Sequence, residues 1–385
     1  MGIIGFGGAG LAQYGHFNSI EGCKVRAVYD TKPGGLERAR KLSNELLITD
    51  DLDEFLRSGV DIVSVCSPDR THADYVVKSL RANKHVICEK PLTDSIDGCR
   101  KIIKAEREAP QCTLAVQHQM RFLPVHIKMK EIVQSSELGK VSYIEGYYVH
   151  NLMERASRYD TWRYEDNATP LVYSGCHFVD LLRWLLDDEV VEVTGMANNI
   201  AFPEYPESDL NVVLLRFRSG VIGKVITAFG AGRPQDHSVR IYGSEKCIEN
   251  NLLFDKAGNF KVFARPFLVR RSQRNQSLKH FLPRFHHKRV VLFARIFEAI
   301  MKLYRPESIY SISSYPIRLY EHDFAVRAAI SNFVESIHAK KRPLCTSVDA
   351  AKTVATCLAG VEAYRTGKTV PVEKYWIPEF KEEEA

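Results

Sequence analysis

The sequence predicts an α/β domain built on a parallel sheet, followed by an α+β domain with a mostly antiparallel sheet. Three observations carry this. A glycine-rich turn joins the first strand to the first helix, strand-like runs alternate with helical-period segments up to about residue 123, and consecutive strand-like runs dominate beyond it.

In the first part, Gly2–Gly5 reads as a strand and Ala9–Asn18 as a helix. Lys24–Tyr29, Asp61–Cys66, His85–Cys88 and Cys112–Gln117 are further strands, short and rich in β-branched residues. Between them, Leu36–Glu45, Asp74–Ala82 and Ile96–Glu108 carry apolar residues at helical spacing. Such alternation implies βαβ units. In the second part Val141–Val149, Val190–Ala197, Leu210–Phe217, Val221–Phe229, Ser238–Tyr242 and Phe260–Ala264 read as strands, with Arg218-Ser219-Gly220 as a hairpin turn. Helices are expected at Phe178–Leu186, Val290–Tyr304, His322–Ala339 and Ala350–Arg365. The expected domains are 1–123 and 124–385, the latter with a basic insert at about 266–314.

With 385 residues, 45% hydrophobic and 26% charged, the composition is that of an ordinary globular protein large enough for two cores. No apolar run is long enough to span a bilayer, and the N-terminus reads as strand and glycine loop rather than signal peptide. Nine cysteines, an odd number with no C-x-x-C pair, point to reduced thiols in a cytoplasmic protein, with no metal site expected. The net charge of +6 is unevenly spread: residues 261–305 hold twelve Lys/Arg against Glu298 alone, so the rest of the chain is mildly acidic.

Gly5-Phe6-Gly7-Gly8-Ala9-Gly10 fits G-x-G-x-x-G between a strand and a helix. Glycines there permit a tight turn, let backbone N–H groups approach a pyrophosphate and pack the helix on the sheet. Asp30 ends the second strand, where a carboxylate would accept hydrogen bonds from ribose hydroxyls. It would also repel a 2′-phosphate, which favours NAD over NADP; nearby Lys32 and Arg38 soften that preference. The alternative is a turn aspartate beside a structural glycine loop. Strand, loop, helix and acid in order favour a Rossmann domain that binds NAD.

Further markers follow: Ser67-Pro68-Asp69-Arg70-Thr71-His72 after the third strand, Cys88-Glu89-Lys90-Pro91 after the fourth, and Arg121-Phe122. Trp162-Arg163, Gly175-Cys176-His177-Phe178-Val179-Asp180 and Ile241-Tyr242-Gly243-Ser244-Glu245 complete the set. Together they resemble the glucose–fructose oxidoreductase / inositol dehydrogenase / MocA (Gfo/Idh/MocA) family over nearly the whole chain except about Pro266 to Ser314. The resemblance implies hydride transfer between nicotinamide and a hydroxyl-bearing carbon of a sugar, inositol or sugar nucleotide. It places Lys90 near the nicotinamide ribose and substrate hydroxyl, makes His177 the acid/base and sets Gln119 beside the nicotinamide. Ser67, Pro68, His72 and Glu89 then join the cofactor-binding set with the glycine loop, and a homodimer or homotetramer is expected.

Imidazole suits removal of a hydroxyl proton because its pKa lies near working pH. An ammonium nearby stabilises developing alkoxide charge. One departure stands out: many relatives carry an aspartate four residues before the histidine, and this chain has Tyr173. Tyr173 either joins the proton relay or lines the pocket. Tyr159, Trp162 and Arg163 are either sugar contacts or domain packing. Asp180, on a helix whose Leu182, Leu185 and Leu186 face a core, reads as structural. Two other activities fit parts of the pattern: an NAD-dependent glycosidase acting by transient oxidation and elimination, which Lys90 argues against, and a non-catalytic NAD-binding sensor.

In residues 281–305, a helix from Val290 would place Arg295, Glu298, Lys302 and Arg305 on one narrow face and apolar residues on the broad remainder, with Arg284, Lys288 and Arg289 before it. That pattern suits either a helix lying on an anionic membrane or a buried lid or subunit contact. No nucleic-acid reading module accompanies the cations, so a nucleic-acid partner is not expected.

Overall fold

The computed structural model describes residues 1–151, 169–232, 235–264 and 314–376. The chain divides into two compact units, Met1–Arg265 with Ala325–Ala385, and Pro266–Phe324. The described part of the second unit is the start of a helix, Ser314–Ala339. The expected helix Val290–Tyr304 and the basic stretch 281–305 lie outside the described residues.

The N-terminal strands are β1 (Gly2–Ile4), β2 (Ala27–Tyr29), β3 (Leu47–Thr49), β4 (Ile62–Val65), β5 (His85–Cys88) and β6 (Leu114–Val116). All pair in parallel, in the order β3-β2-β1-β4-β5-β6. The order reverses between β1 and β4, which opens a crevice at their carboxyl ends, the place where such sheets bind dinucleotides. Successive side chains alternate faces. Ile3, Val28, Ile87 and Ala115 therefore share one core, while Ile4, Val63, Val65 and Cys88 belong to another. Burial on both faces explains why these strands read as continuous apolar runs rather than alternating ones.

The connecting helices are α1 (Gly8–Phe17), α2 (Pro33–Arg40), α3 (Leu52–Arg57), α4 (His72–Arg81) and α5 (Ile96–Glu108). β3 and α3 were not expected from the sequence. Both are short, and α3 is defined mainly by Asp51, whose side chain accepts from the N–H groups of Asp53 and Glu54. Next comes α6 (Pro124–Gln134), also unexpected, opened by a proline at its first position.

The second sheet contains β7 (Val141–Val149), β8 (Val190–Asn198), β9 (Leu210–Phe217), β10 (Ile222–Ala228) and β11 (Val239–Gly243). β12 (Lys246–Glu249), β13 (Leu252–Asp255), β14 (Phe260–Val262) and β15 (Val370–Pro371) complete it. Its order is β14-β13-β12-β11-β7-β10-β9-β8-β15, with every pair antiparallel except β7 with β10. The expected hairpin joins β9 to β10, and Gly220 takes the positive φ of 92° that its turn requires.

Among the described residues three further helices follow: α7 (Cys176–Leu186), α8 (Ser314–Ala339) and α9 (Ser347–Thr366). α7 lies against β7 so closely that a Cβ on Gly146 would collide with the Phe178 ring. α9 packs on β8 and also on α5, linking the two sheets. Val326, Ile330 and Phe333 of α8 pack with Ile3, Phe6 and Phe17. This part of the chain, assigned from sequence to the second domain, thus returns to the parallel sheet, because its apolar residues at helical spacing match that sheet's open face.

A buried ionic network fastens these elements. Arg121 donates to both carboxylate oxygens of Asp180, at 2.8 and 2.5 Å, and pairs with Asp349 at 2.5 Å. Arg183 bonds Glu189 (2.8 Å), Asp349 (2.9 Å) and the Thr353 hydroxyl (2.7 Å). Burial opposes the charged form of Asp349, but the two guanidinium groups more than offset it and hold its carboxyl well below the usual range. Because the folded value is depressed, the stabilisation is complete above about pH 4 and is lost as pH falls through the folded value. Asp349→Asn should therefore destabilise the fold by about 3 kcal/mol at neutral pH. Denaturant unfolding is the measurement, and the gap to the parent protein should narrow in acid.

Candidate active site

The glycine turn is shaped for a phosphate. Gly5 has φ of +84°, and a Cβ there would press on the Ser67 N at 2.8 Å. A Cβ on Gly10 would collide with the Gly5 carbonyl oxygen, so this glycine is required for α1 to leave the sheet at that angle. Gly7 and Gly8 face open space at the start of α1, where the first turn carries no acidic residue. Helix N–H groups pointing into unobstructed space fit a pyrophosphate. Phe6 contributes backbone only; its side chain is fully buried. Ala9 lies in the first turn of α1.

Asp30 accepts from Phe6 N at 2.7 Å and from Lys32 N at 2.8 Å, one bond on each oxygen. Each oxygen retains a second lone pair for a ribose hydroxyl. Arg38 Nε donates to the Phe6 carbonyl at 3.1 Å, bracing the loop from α2. These residues fit a dinucleotide cofactor.

Other residues expected around the cofactor occupy more varied places. Ser67 Oγ accepts from Thr71 Oγ1 at 2.8 Å, and Pro68 O accepts from Thr71 N at 2.9 Å, so the turn after β4 is self-braced. His72 is fully buried, with Nδ1 2.9 Å from Pro91 O and Nε2 2.8 Å from Ser67 O. It ties the turn after β4 to the turn after β5. Glu89 receives Gln13 Nε2 at 3.1 Å, the same amide that donates to Gln117 at 2.7 Å beneath α1. Gln119 is 8% exposed in a 3-10 turn, Gln119–Phe122, after β6.

Lys90 extends from the end of β5 and donates to the Tyr173 carbonyl at 2.7 Å. Tyr173 lies in a single π-type turn, Leu171–Gly175, directly before α7. Gly175 belongs there because a Cβ would press on Thr227 Oγ1 of β10 at 2.6 Å. His177 follows on the first turn of α7, 6% exposed. The ammonium from the parallel sheet therefore ends at the backbone carbonyl of the residue four positions before His177.

The Tyr173 hydroxyl is hydrogen-bonded to the Tyr205 hydroxyl at 2.8 Å, and its ring stacks on Phe229. His177 stacks on Tyr148, with centroids 5.6 Å apart and planes 7° from parallel. Tyr148, Tyr205 and Gln13 belong to no motif, so sequence alone does not single them out. The one available hint is the spacing of Tyr148 and His150, which share a face of β7's extension. Tyr159, Trp162 and Arg163 lie outside the described residues.

Behind the site, His118, Asp180 and Cys345 bring potential metal ligands together. Their chemistry argues against a cation, since Arg121 already occupies both Asp180 oxygens and burial pushes the Cys345 thiol well up. Burial also lowers His118 to about 4, with Asp180 at 3.5 Å only partly opposing it. His118 is therefore neutral near pH 7. Asp180, fully buried in the ion network, is structural, as its apolar helix predicts.

Known proteins place the chain in a family. Residues 1–118 match the oxidoreductase family with an NAD-binding Rossmann fold, and residues 126–249 match the GFO/IDH/MocA C-terminal domain. The chain belongs to the Gfo/Idh/MocA family. It is thus an NAD-binding oxidoreductase, with the Rossmann and mostly antiparallel sheets of its family. An inositol 2-dehydrogenase of Rubrobacter xylanophilus is 28% identical over 253 residues, 65% of this chain and 70% of the relative. Among solved folds, myo-inositol 2-dehydrogenase from Lactobacillus plantarum superposes with a TM-score of 0.75 at 21% identity, covering 96% of this chain and 98% of that one. Scyllo-inositol dehydrogenase from Lactobacillus casei, solved with NAD(H) and scyllo-inositol, gives 0.73 at 18% identity, covering 97% and 98%.

The glycine turn of this family member offers a direct test. Gly10→Ala should weaken NADH binding by at least about tenfold, because its methyl group must displace the Gly5 carbonyl from the phosphate turn. Titration by NADH fluorescence reads the change.

Proposed function

We propose that this oxidoreductase is an NAD-dependent dehydrogenase of a cyclic polyol or sugar, with inositols the first candidates. The observation that carries the reading is Lys90 crossing from the parallel sheet to the Tyr173 carbonyl, in the turn that leads into the helix of His177. The relatives' inositol activities support the substrate class. Bound NAD supplies hydride acceptance from the carbinol carbon. As the hydride leaves, the His177 imidazole takes the hydroxyl proton, and the Lys90 ammonium stabilises the alkoxide charge that develops on oxygen. Near-complete burial of His177 strengthens that electrostatic stabilisation.

Tyr173 has its hydroxyl turned to Tyr205, so we assign it to the pocket wall, with its carbonyl anchoring Lys90. Ser67, Pro68 and Gln119 line the nicotinamide side, while His72 and Glu89 support that side from beneath. Substrate contacts from Tyr159, Trp162 and Arg163, and a functional division near residue 123, belong to the same proposal. So do assembly as a homodimer or homotetramer and a membrane contact through 281–305. Among the described residues no helix is long and apolar enough to cross a membrane.

Purified protein incubated with NAD and a panel of inositols, sugars and UDP-sugars should accumulate NADH with at least one polyol. His177→Ala should abolish that turnover while leaving NADH affinity nearly unchanged. Aglycone release from a glycoside without net NADH would instead support the glycosidase reading. Tight NAD binding with no reaction would support a sensor.

A further inference from the structure

We propose that Tyr148 is the positioning residue that sets the plane of the His177 imidazole, an inference that rests on the acid/base assignment of His177. Position 173 offers the ring no carboxylate, because a tyrosine stands there with its hydroxyl on Tyr205. What the structure provides is an aromatic surface. His177 and Tyr148 lie nearly parallel, 7° apart, with centroids separated by 5.6 Å, an offset-stacked arrangement.

Tyr148 is itself held firmly. His237 stacks on it at 4.7 Å, and Phe178 and Phe229 meet it edge-on at 6.5 and 6.3 Å. Its backbone sits near the end of β7, in register with Thr227 of β10, so its position does not depend on its own side chain. The strand and α7 approach closely at Gly146 and Phe178, which fixes the distance between the two rings.

This geometry suits proton transfer. Stacking uses the face of the imidazole and leaves both ring nitrogens at its edge, where in-plane hydrogen bonds form. When the ring takes the substrate proton it becomes cationic, and a cation beside an aromatic face is attracted by the ring quadrupole. The phenol thus orients the base and also favours its charged form during the reaction. A carboxylate partner would do both through a hydrogen bond and ionic attraction.

The test uses the full-length protein with Tyr148→Leu, Tyr148→Phe and His177→Ala. One readout is the imidazole carbon–proton NMR resonance of His177, assigned by its disappearance in His177→Ala. The face of Tyr148 should shift it upfield. That shift should persist in Tyr148→Phe and vanish in Tyr148→Leu. The second readout is turnover of myo-inositol, or of the best polyol in the panel. Tyr148→Phe should stay within about twofold of the parent kcat, whereas Tyr148→Leu should lose about tenfold in kcat with little change in KM. Equal thermal unfolding of the two variants separates orientation from folding. An unmoved His177 resonance in Tyr148→Leu overturns the inference, as does a parent-like kcat in that variant when His177→Ala is inactive. Full activity in His177→Ala overturns the acid/base assignment instead, and the resonance then still judges the stacking.

Discussion

The buried ion network around Arg121 is the constraint on which the candidate site depends. Arg121 closes the Rossmann segment two residues after Gln119, and Asp180 sits three residues after His177 on α7. Their two hydrogen bonds fix the helical register of the imidazole relative to the end of the parallel sheet. Asp349, at the start of α9, ties in the last helix and is shared with Arg183. Burying so many charges is tolerable only because each carboxylate and guanidinium is paired and hydrogen-bonded. Apolar packing alone would let α7 slide or rotate; paired charges with fixed geometry do not.

On that frame the site draws on both sheets. The turns after β1, β4 and β5 supply the glycine loop, Ser67 and Lys90, while α7 and the end of β7 supply His177 and Tyr148. Lys90 spans the gap by bonding a backbone carbonyl, in a π-type turn. A carbonyl acceptor holds the Lys90 side chain in place through a backbone atom, whatever residue stands at position 173. Tyr173 joins a buried aromatic group with Tyr205 and Phe229. His177 stacks on Tyr148 close to that group.

Much of the architecture was legible in the sequence because its signals are local. β5 and α5 have the boundaries their apolar spacing predicts, and the Arg218-Ser219-Gly220 turn connects the strands it was expected to connect. β3, β12 and β13 escaped notice because short strands are decided by the neighbour they pair with. Even so, Asn250 at φ 54° in Asn250-Asn251, between two apolar runs, marks the β12–β13 turn. α8 was visible as a helix, but its partner was not. Val326, Ile330 and Phe333 form an apolar stripe that could cover either sheet, and only the fold assigns it to the parallel one.

By itself the sequence determined the parallel Rossmann sheet, the glycine turn between β1 and α1 and the acid that ends β2, and it singled out Lys90 and His177 as candidate reacting groups. Each of these is written in a short stretch of chain, where glycine geometry or motif spacing has a direct physical meaning. Only the tertiary structure decided that His72 reaches the Pro91 carbonyl, that Glu89 receives Gln13, that the Tyr173 hydroxyl faces Tyr205 and that Tyr148 lies against the imidazole. Those contacts join residues from 19 to 76 positions apart in the bonded cases. No local pattern encodes them, because they exist only once packing has brought the separate strands and helices together.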